Sequence, residues 1–221
     1  WKKRNSMTMR RCLRCLLLML LLLMTQASEG QVFTSEEVPD SIWDKMQGRS
    51  YPRGCGVPRA ELRFLQLSHY DFDGNRHVGQ MVCNRLIADD LVFIFRELYE
   101  ARYPIARMRL IDEYKADDFR SMADNNTSCF CYRPVAGGKQ LSKHSRGMAV
   151  DINPLYNPCL YVRSGRVLPP EGEAYAHNRA KRKDIPGKID TADICYRLFT
   201  SRGFRWGGSW RSLKDYQHFE K

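Results

Sequence analysis

Two short stretches of the 221-residue chain concentrate side chains that can do chemistry. The first reads Ser142-Lys143-His144-Ser145-Arg146-Gly147-Met148-Ala149-Val150-Asp151-Ile152-Asn153-Pro154, an imidazole and a carboxylate placed around a small-residue turn. The second is Trp206-Gly207-Gly208-Ser209-Trp210 followed by Asp215-Tyr216-Gln217-His218-Phe219-Glu220. Together they offer two imidazoles and a carboxylate as donors to one metal ion, with a further carboxylate close by. A catalytic zinc takes three such ligands and keeps a fourth position open to water. It lowers the pKa of that water to roughly 7 and polarises the carbonyl under attack. A carboxylate beside the water can take its proton and pass it to a leaving amine, and an arginine can hold the charge that develops on the carbonyl oxygen. The sequence has a candidate for every part.

The pattern S-x-H-x-x-G-x-A-x-D, followed at a distance by an acidic residue three before a His, resembles that of the D-alanyl-D-alanine carboxypeptidase and dipeptidase zinc metallopeptidases. That group includes the vancomycin-resistance dipeptidases and the L-alanyl-D-glutamate endopeptidases of phage and bacilli. The chain is most similar to the branch whose C-terminal motif reads Asp-x-x-His-Phe-Glu, and Asn125-Asn126-Thr127-Ser128, Ile152-Asn153-Pro154 and Gly203-Phe204 through Trp210 also look like this branch. The likeness runs from about Leu62 to Lys221.

The resemblance implies that His144, Asp151 and His218 hold zinc, that Asp215 is the general base, and that Arg133 holds a substrate carbonyl or carboxylate. It gives Ser142 a place as a substrate contact or as the residue that orients His144. It implies a small α+β domain with a central antiparallel sheet, over residues 59–221. The expected activity is hydrolysis of an amide bond in peptidoglycan stem peptides, of D,D-carboxypeptidase or L,D-endopeptidase type, by a monomer. A reading of another class is a non-catalytic zinc-containing binding module of the same fold, as in the signalling domain of Hedgehog proteins; the presence of Asp215 speaks against it.

One point of geometry bears on the base. On a regular strand, residues three apart face opposite sides, so Asp215 and His218 can share a site only if the segment bends or bulges. Glu220, two after His218, faces the same way on a straight strand and is the rival for base or for a partner that orients the imidazole. His69, His77 and His177 have no partner motif and are assigned ordinary structural or surface roles. Trp206 and Trp210 are candidates for either a cleft wall or core packing.

The elements that must position these residues are legible in outline. Leu62 to Phe72 and Val78 to Asn84 flank Asp73-Gly74 and predict a hairpin. Ala88 to Arg102 places Leu91, Ile94, Phe95, Leu98 and Tyr99 at helical spacing, with Pro104 as the stop. Met108 to Ile111, Ser128 to Arg133, Met148 to Asn153, Phe204 to Trp206 and Tyr216 to Phe219 predict short strands, while Asp117 to Met122 and Thr191 to Ser201 predict helical turns. Residues 28–58 are polar and turn-rich and read as an irregular lead-in with at most one short helix near Ser41 to Met46. Gly165 to Gly187 is the one long loop, and its basic run Arg179 to Lys183 reads as solvated.

Composition sets the compartment. Lys2, Lys3, Arg4, Arg10, Arg11 and Arg14 precede an apolar run from Leu16 to Met24 and then Thr25-Gln26-Ala27-Ser28, the order of a secretory signal peptide over residues 1–27. The apolar run is about half the roughly 20 residues a spanning helix needs, so no lasting membrane anchor is expected. The expected location is periplasmic or secreted, in a bacterium. Without those six basic residues the formal charge falls from +11 to +5, and no basic face with interleaved aromatics remains for nucleic acid. Cys55, Cys83, Cys129, Cys131, Cys159 and Cys195 lie beyond the signal; an oxidising compartment permits disulfides among them, and the sequence does not choose a pairing.

Overall fold

The computed structural model describes residues 30–135 and 139–221. The expected signal peptide lies outside the described residues. Val32–Lys221 form one compact α+β unit. Its strands fall into three antiparallel three-stranded sheets rather than a single central one. The first, in the order β1-β2-β3, joins β1 (Phe33–Glu37), β2 (Leu62–Tyr70) and β3 (Arg76–Asn84). The hairpin turn between β2 and β3 places Gly74 at φ +81°, open to glycine without strain.

Both faces of β2 are buried, which its alternation explains. Leu65 and Leu67 pack with Met81 under helix α2 (Arg85–Glu100), which buries Ile87, Leu91, Ile94, Phe95 and Leu98 along one stripe. Leu62 and Phe64 face the other way, into a second cluster with Val38, Ile42, Met46, Val82, Leu110 and Phe130. Helix α1 (Asp40–Met46) turns Ile42 and Met46, one helical turn apart, into that cluster. The stretch expected as an irregular lead-in therefore supplies an edge strand and a covering helix. Strand β1 escaped the sequence because four of its five residues are exposed, so it has no apolar alternation to read.

Two further expected strands are not strands. From Ser128 to Tyr132 the backbone bonds to a different partner at nearly each step: Ser128 N–H to Asp151, Phe130 N–H to Val82, Cys131 N–H to His144 and Tyr132 N–H to Ser50. No ladder can form from such a sequence of partners. Around Met108 to Ile111, Asn126 takes the place of a neighbouring strand, its side chain accepting from Arg109 N–H at 2.8 Å and donating to Arg109 C=O at 3.1 Å.

Helix α3 (Asp118–Ala123) is capped by Asp117. The remaining strands are β4 (Ala149–Asp151), β5 (Cys159–Tyr161), β6 (Val167–Leu168), β7 (Arg205–Trp206), β8 (Leu213–Asp215) and β9 (His218–Glu220), with helices α4 (Glu173–Ala176) and α5 (Ile194–Ser201) between them. They form the sheets β4-β9-β7 and β6-β5-β8. Val150 and Phe219 are cross-strand partners that reach into the main core, where Phe219 stacks on Phe199 of α5 at 4.3 Å. The six described cysteines are unpaired, five of them buried. No helix among the described residues is long and apolar enough to cross a membrane.

The cap of α5 carries a testable charge effect. Asp193 accepts from Cys195 N–H at 2.8 Å, and burial pushes its carboxyl up to about 6. A carboxyl whose folded pKa is raised favours the fold when protonated, so its contribution is complete below the ordinary carboxylate range and is lost as pH rises through about 6. Asn caps equally well and does not titrate. Melting curves between pH 4 and pH 7 are expected to show the parent losing on the order of a few degrees relative to Asp193→Asn as pH rises.

Candidate metal centre

Asp151 and His218 face each other directly across the β4–β9 ladder, so their side chains leave the sheet on the same side. The alternate residues Val150 and Phe219 point into the core and anchor both strands. His144 arrives from a single 3-10 turn, Lys143–Arg146. Ser142 caps that turn, its hydroxyl accepting from His144 N–H at 3.2 Å; of the two contacts expected of Ser142, this is the orienting one. Gly147 closes the turn at φ +65°, and a Cβ there would lie 2.6 Å from the backbone nitrogen of Asn84. The glycine in S-x-H-x-x-G thus answers to two demands, a left-handed cap and the close approach of the β3–α2 junction.

The three side chains are almost wholly buried, at 2% exposure for His144, 4% for Asp151 and 6% for His218. Their ligand atoms all lie within 4.8 Å of one another. His144 Nε2 is 3.1 Å from Asp151 Oδ2, His218 Nδ1 is 3.0 Å from Asp151 Oδ1, and the two ring nitrogens are 3.2 Å apart. The outer nitrogens are engaged elsewhere. His144 Nδ1 donates to the Cys129 carbonyl at 2.6 Å, and His218 Nε2 lies 3.4 Å from Glu220 Oε2. A carbonyl can only accept, so the inner nitrogen of neutral His144 presents a lone pair; Glu220 fixes His218 in the same sense.

Packed this closely, the buried Asp151 carboxylate favours a positive charge beside it, either a proton on His218 or a bound cation. Burial works against a charged His218, yet the carboxylates of Asp151 and Glu220 outweigh it and push the imidazole up to about 10. Against the same burial, the two imidazoles hold Asp151 well below the usual carboxylate range. A donor set of two imidazoles and one carboxylate can hold a divalent metal ion and leave a position open, as in catalytic zinc sites.

Asp215 and His218 are brought together by a break in the chain. Asp215 ends β8, paired with Cys159 in one sheet, and His218 opens β9, paired with Asp151 in another. The strand expected over Tyr216 to Phe219 is thus a bend followed by a strand, which removes the objection that residues three apart face opposite ways. Gly207 marks the inside of the bend: a Cβ on it would stand 2.8 Å from Asp215 Cβ and 3.2 Å from His218 Cβ. Asp215 is half-buried as a residue, but its Oδ1 is shut off from solvent and has no hydrogen-bond partner among the described residues. Burial pushes its carboxyl up to about 6.

Residues 136–221 match the model of the D-alanyl-D-alanine carboxypeptidase family. No solved structure matches the chain. The family match is to a family of peptidases, and it contains the His144, Asp151 and His218 cluster together with Asp215 and Glu220. It begins well after Leu62, so the likeness expected from that point is carried by the C-terminal part alone.

Arg133 lies just before the matched segment but belongs to the same neighbourhood. Its backbone is clamped to the ligand turn, N–H donating to Ser145 Oγ at 2.9 Å and C=O accepting from the same hydroxyl at 2.6 Å. Its guanidinium pairs with Asp118 of α3 at 2.8 Å. Burial disfavours that guanidinium's charge, and the carboxylates of Asp118 and Asp151 more than restore it. Asp118 was not singled out in the sequence, because nothing local links a helix-start aspartate to a motif more than twenty residues away. Gln217 stands inside the second motif, but its burial beside Met122, with its Oε1 unpartnered among the described residues, depends on a contact distant in sequence. Trp206 belongs to the core, and Trp210 is half-buried with its ring 5.3 Å from that of His218. His77 and His177 make surface contacts with Asp71 and Glu173, and His69 is buried.

Proposed function

We propose that the protein is a zinc peptidase that hydrolyses an amide bond in the peptide stems of peptidoglycan, exported to act at the cell wall. The observation that carries this reading is the buried convergence of His144 Nε2, His218 Nδ1 and the Asp151 carboxylate, with both outer ring nitrogens already committed. The family match over the same residues supports it. Zinc held by these three would supply Lewis-acid activation of water and of the scissile carbonyl.

The chain's own groups supply the rest. Asp215 Oδ1, unpartnered and close to the cluster, accepts the proton of the attacking water and returns it to the leaving nitrogen. A carboxyl raised to about 6 is ionised at neutral pH and still a better proton acceptor than an ordinary one. Glu220, the rival, is occupied by His218 and by Arg205 and acts as the partner that orients the imidazole. Arg133 offers its guanidinium to the substrate's carbonyl or carboxylate, with Asp118 fixing its direction. D,D-Carboxypeptidase and L,D-endopeptidase reactions use the same groups and differ in how the cleft closes around the substrate.

Mass analysis of muropeptides digested by the zinc-loaded protein, by the chelated protein and after zinc is restored tests the reading. The expected result is a defined stem fragment that disappears with chelation and returns with zinc. Hydrolysis unchanged after full metal removal would overturn it. Zinc bound tightly with no stem cleaved would instead be the behaviour of a non-catalytic binding module.

A further inference from the structure

The basic run in the long loop contains a residue that is not solvated. Arg179 is 6% exposed, whereas the expectation for Arg179 to Lys183 was a solvated face. Its Nη1 donates to the carbonyls of Tyr156 and Tyr175, both at 2.8 Å, and its Nη2 to Asn157 Oδ1 at 2.7 Å and the Ile189 carbonyl at 3.5 Å. None of these acceptors carries a charge. Among the described residues no carboxylate lies within ion-pair distance of Arg179, and Asp190 is taken by Lys188 at 3.1 Å. The Arg179 Nε is buried with no hydrogen-bond partner among the described residues.

A buried cation without a counter-ion is costly, and removing its partners costs more. What faces the guanidinium is an aromatic ring: Arg179 lies 4.3 Å from the ring centre of Tyr216. An arginine plane stacked on a desolvated ring gains both electrostatic and packing energy. Tyr216 is the residue that follows Asp215 and stands two before His218. Its carbonyl accepts from Trp206 Nε1 at 2.9 Å, and its ring tilts against that of Trp206 at 6.1 Å. The bend is therefore gripped at its ring by Arg179, at its carbonyl by Trp206, and on its inner side by the backbone of Gly207.

We propose that Arg179 is a positioning residue for this bend: by tying the 156–189 segment to the Tyr216 ring it sets the directions in which the Asp215 carboxylate and the His218 imidazole converge. The inference rests on the reading of Asp215 as base and His218 as ligand. Among the described residues, the contacts of the Arg179 guanidinium are with Tyr156, Tyr175, Asn157, Ile189 and Tyr216, and not with the proposed ligands or Asp215. Releasing the ring lets the backbone between β8 and β9 turn, and a displacement of about 1 Å at a catalytic group costs on the order of 100-fold in rate. The loss falls on turnover and metal affinity and spares substrate binding.

Three variants of the full chain test this. Arg179→Met keeps the stem and deletes the fork, Arg179→Lys returns a charge above the ring without the fork, and Tyr216→Leu removes the ring while leaving the bonds to Tyr156, Tyr175, Asn157 and Ile189. For each, zinc affinity is measured by competition with a chromogenic chelator, kcat and KM on a stem peptide are expressed per zinc-loaded molecule, and Tm is recorded. Arg179→Met and Tyr216→Leu are expected to weaken zinc about 10-fold and to lower kcat by roughly 10- to 100-fold with KM little changed. Arg179→Lys is expected to recover part of the kcat. A fall in Tm with parental zinc affinity and parental kcat would overturn the proposal and leave Arg179 as a structural residue. If Arg179→Met does not fold, Tyr216→Leu decides alone. An Asp215→Asn arm run in parallel keeps the two readings apart, because full turnover in that variant rejects the base assignment whatever the Arg179 and Tyr216 variants do.

Discussion

Asp215→Asn is expected to keep its zinc and to lose turnover by roughly 100- to 10,000-fold, the span that general acid–base catalysis contributes. The amide has nearly the shape of the carboxylate, so the bend between β8 and β9 and the contact of Asp215 Cβ with Gly207 are undisturbed. What disappears is an oxygen able to accept a proton. The three ligand side chains remain in place, and the cluster loses one nearby negative charge, so zinc affinity should fall only modestly. Metal content by atomic absorption alongside single-turnover rates checks both halves of the expectation. Full turnover in this variant would transfer the base role to Glu220, whose Oε2 lies 3.4 Å from His218 Nε2.

His144→Ala should lose both metal and turnover. Zinc binding to a protein site is worth about 10–16 kcal/mol when four ligands share it, so one ligand stands for about 3 kcal/mol and its loss weakens zinc on the order of 100-fold or more. The substitution also frees the Cys129 carbonyl and leaves the buried Asp151 with one imidazole in place of two. Stability in the absence of metal should fall as well, because a buried carbonyl and a buried carboxylate each lose a partner. Isothermal titration with zinc, together with far-UV circular dichroism to show that the variant is folded, separates these effects. Zinc bound by His144→Ala as tightly as by the parent would remove the imidazole from the ligand set.

The convergence of His144, Asp151 and His218 was legible because each member sits in a short motif with its own turn chemistry. Ser142 caps, Gly147 ends the turn, and Asp151 and His218 face each other across a ladder of only three residue pairs. The hairpin and α2 were legible because their apolar spacing is complete within one segment. Other parts were not, for identifiable reasons. Strand β1 borrows its order from β2 and has little burial of its own. The 128–132 segment is extended and apolar like a strand, yet its hydrogen bonds go to several different partners. Asp118, Gln217 and Arg179 act through contacts with residues distant in sequence, and Arg179 sits among four other residues of a basic and polar run that gave it no distinguishing mark. The bend at Tyr216 could be stated as a requirement from strand geometry, but its cause, two short strands joining different sheets, needed the fold.

That arrangement has a consequence for how the proposed site can vary. His144, Asp151 and His218 are carried by β4, β9 and the turn before them, while Asp215 hangs from β8, on a sheet whose other strands are β5 and β6. On the proposed reading, changes in the exposed 162–166 turn between β5 and β6 can shift the acceptor by small amounts while β4, β9 and the 143–146 turn stay as they are. On that reading, selection can vary one side of the seam and retain the other.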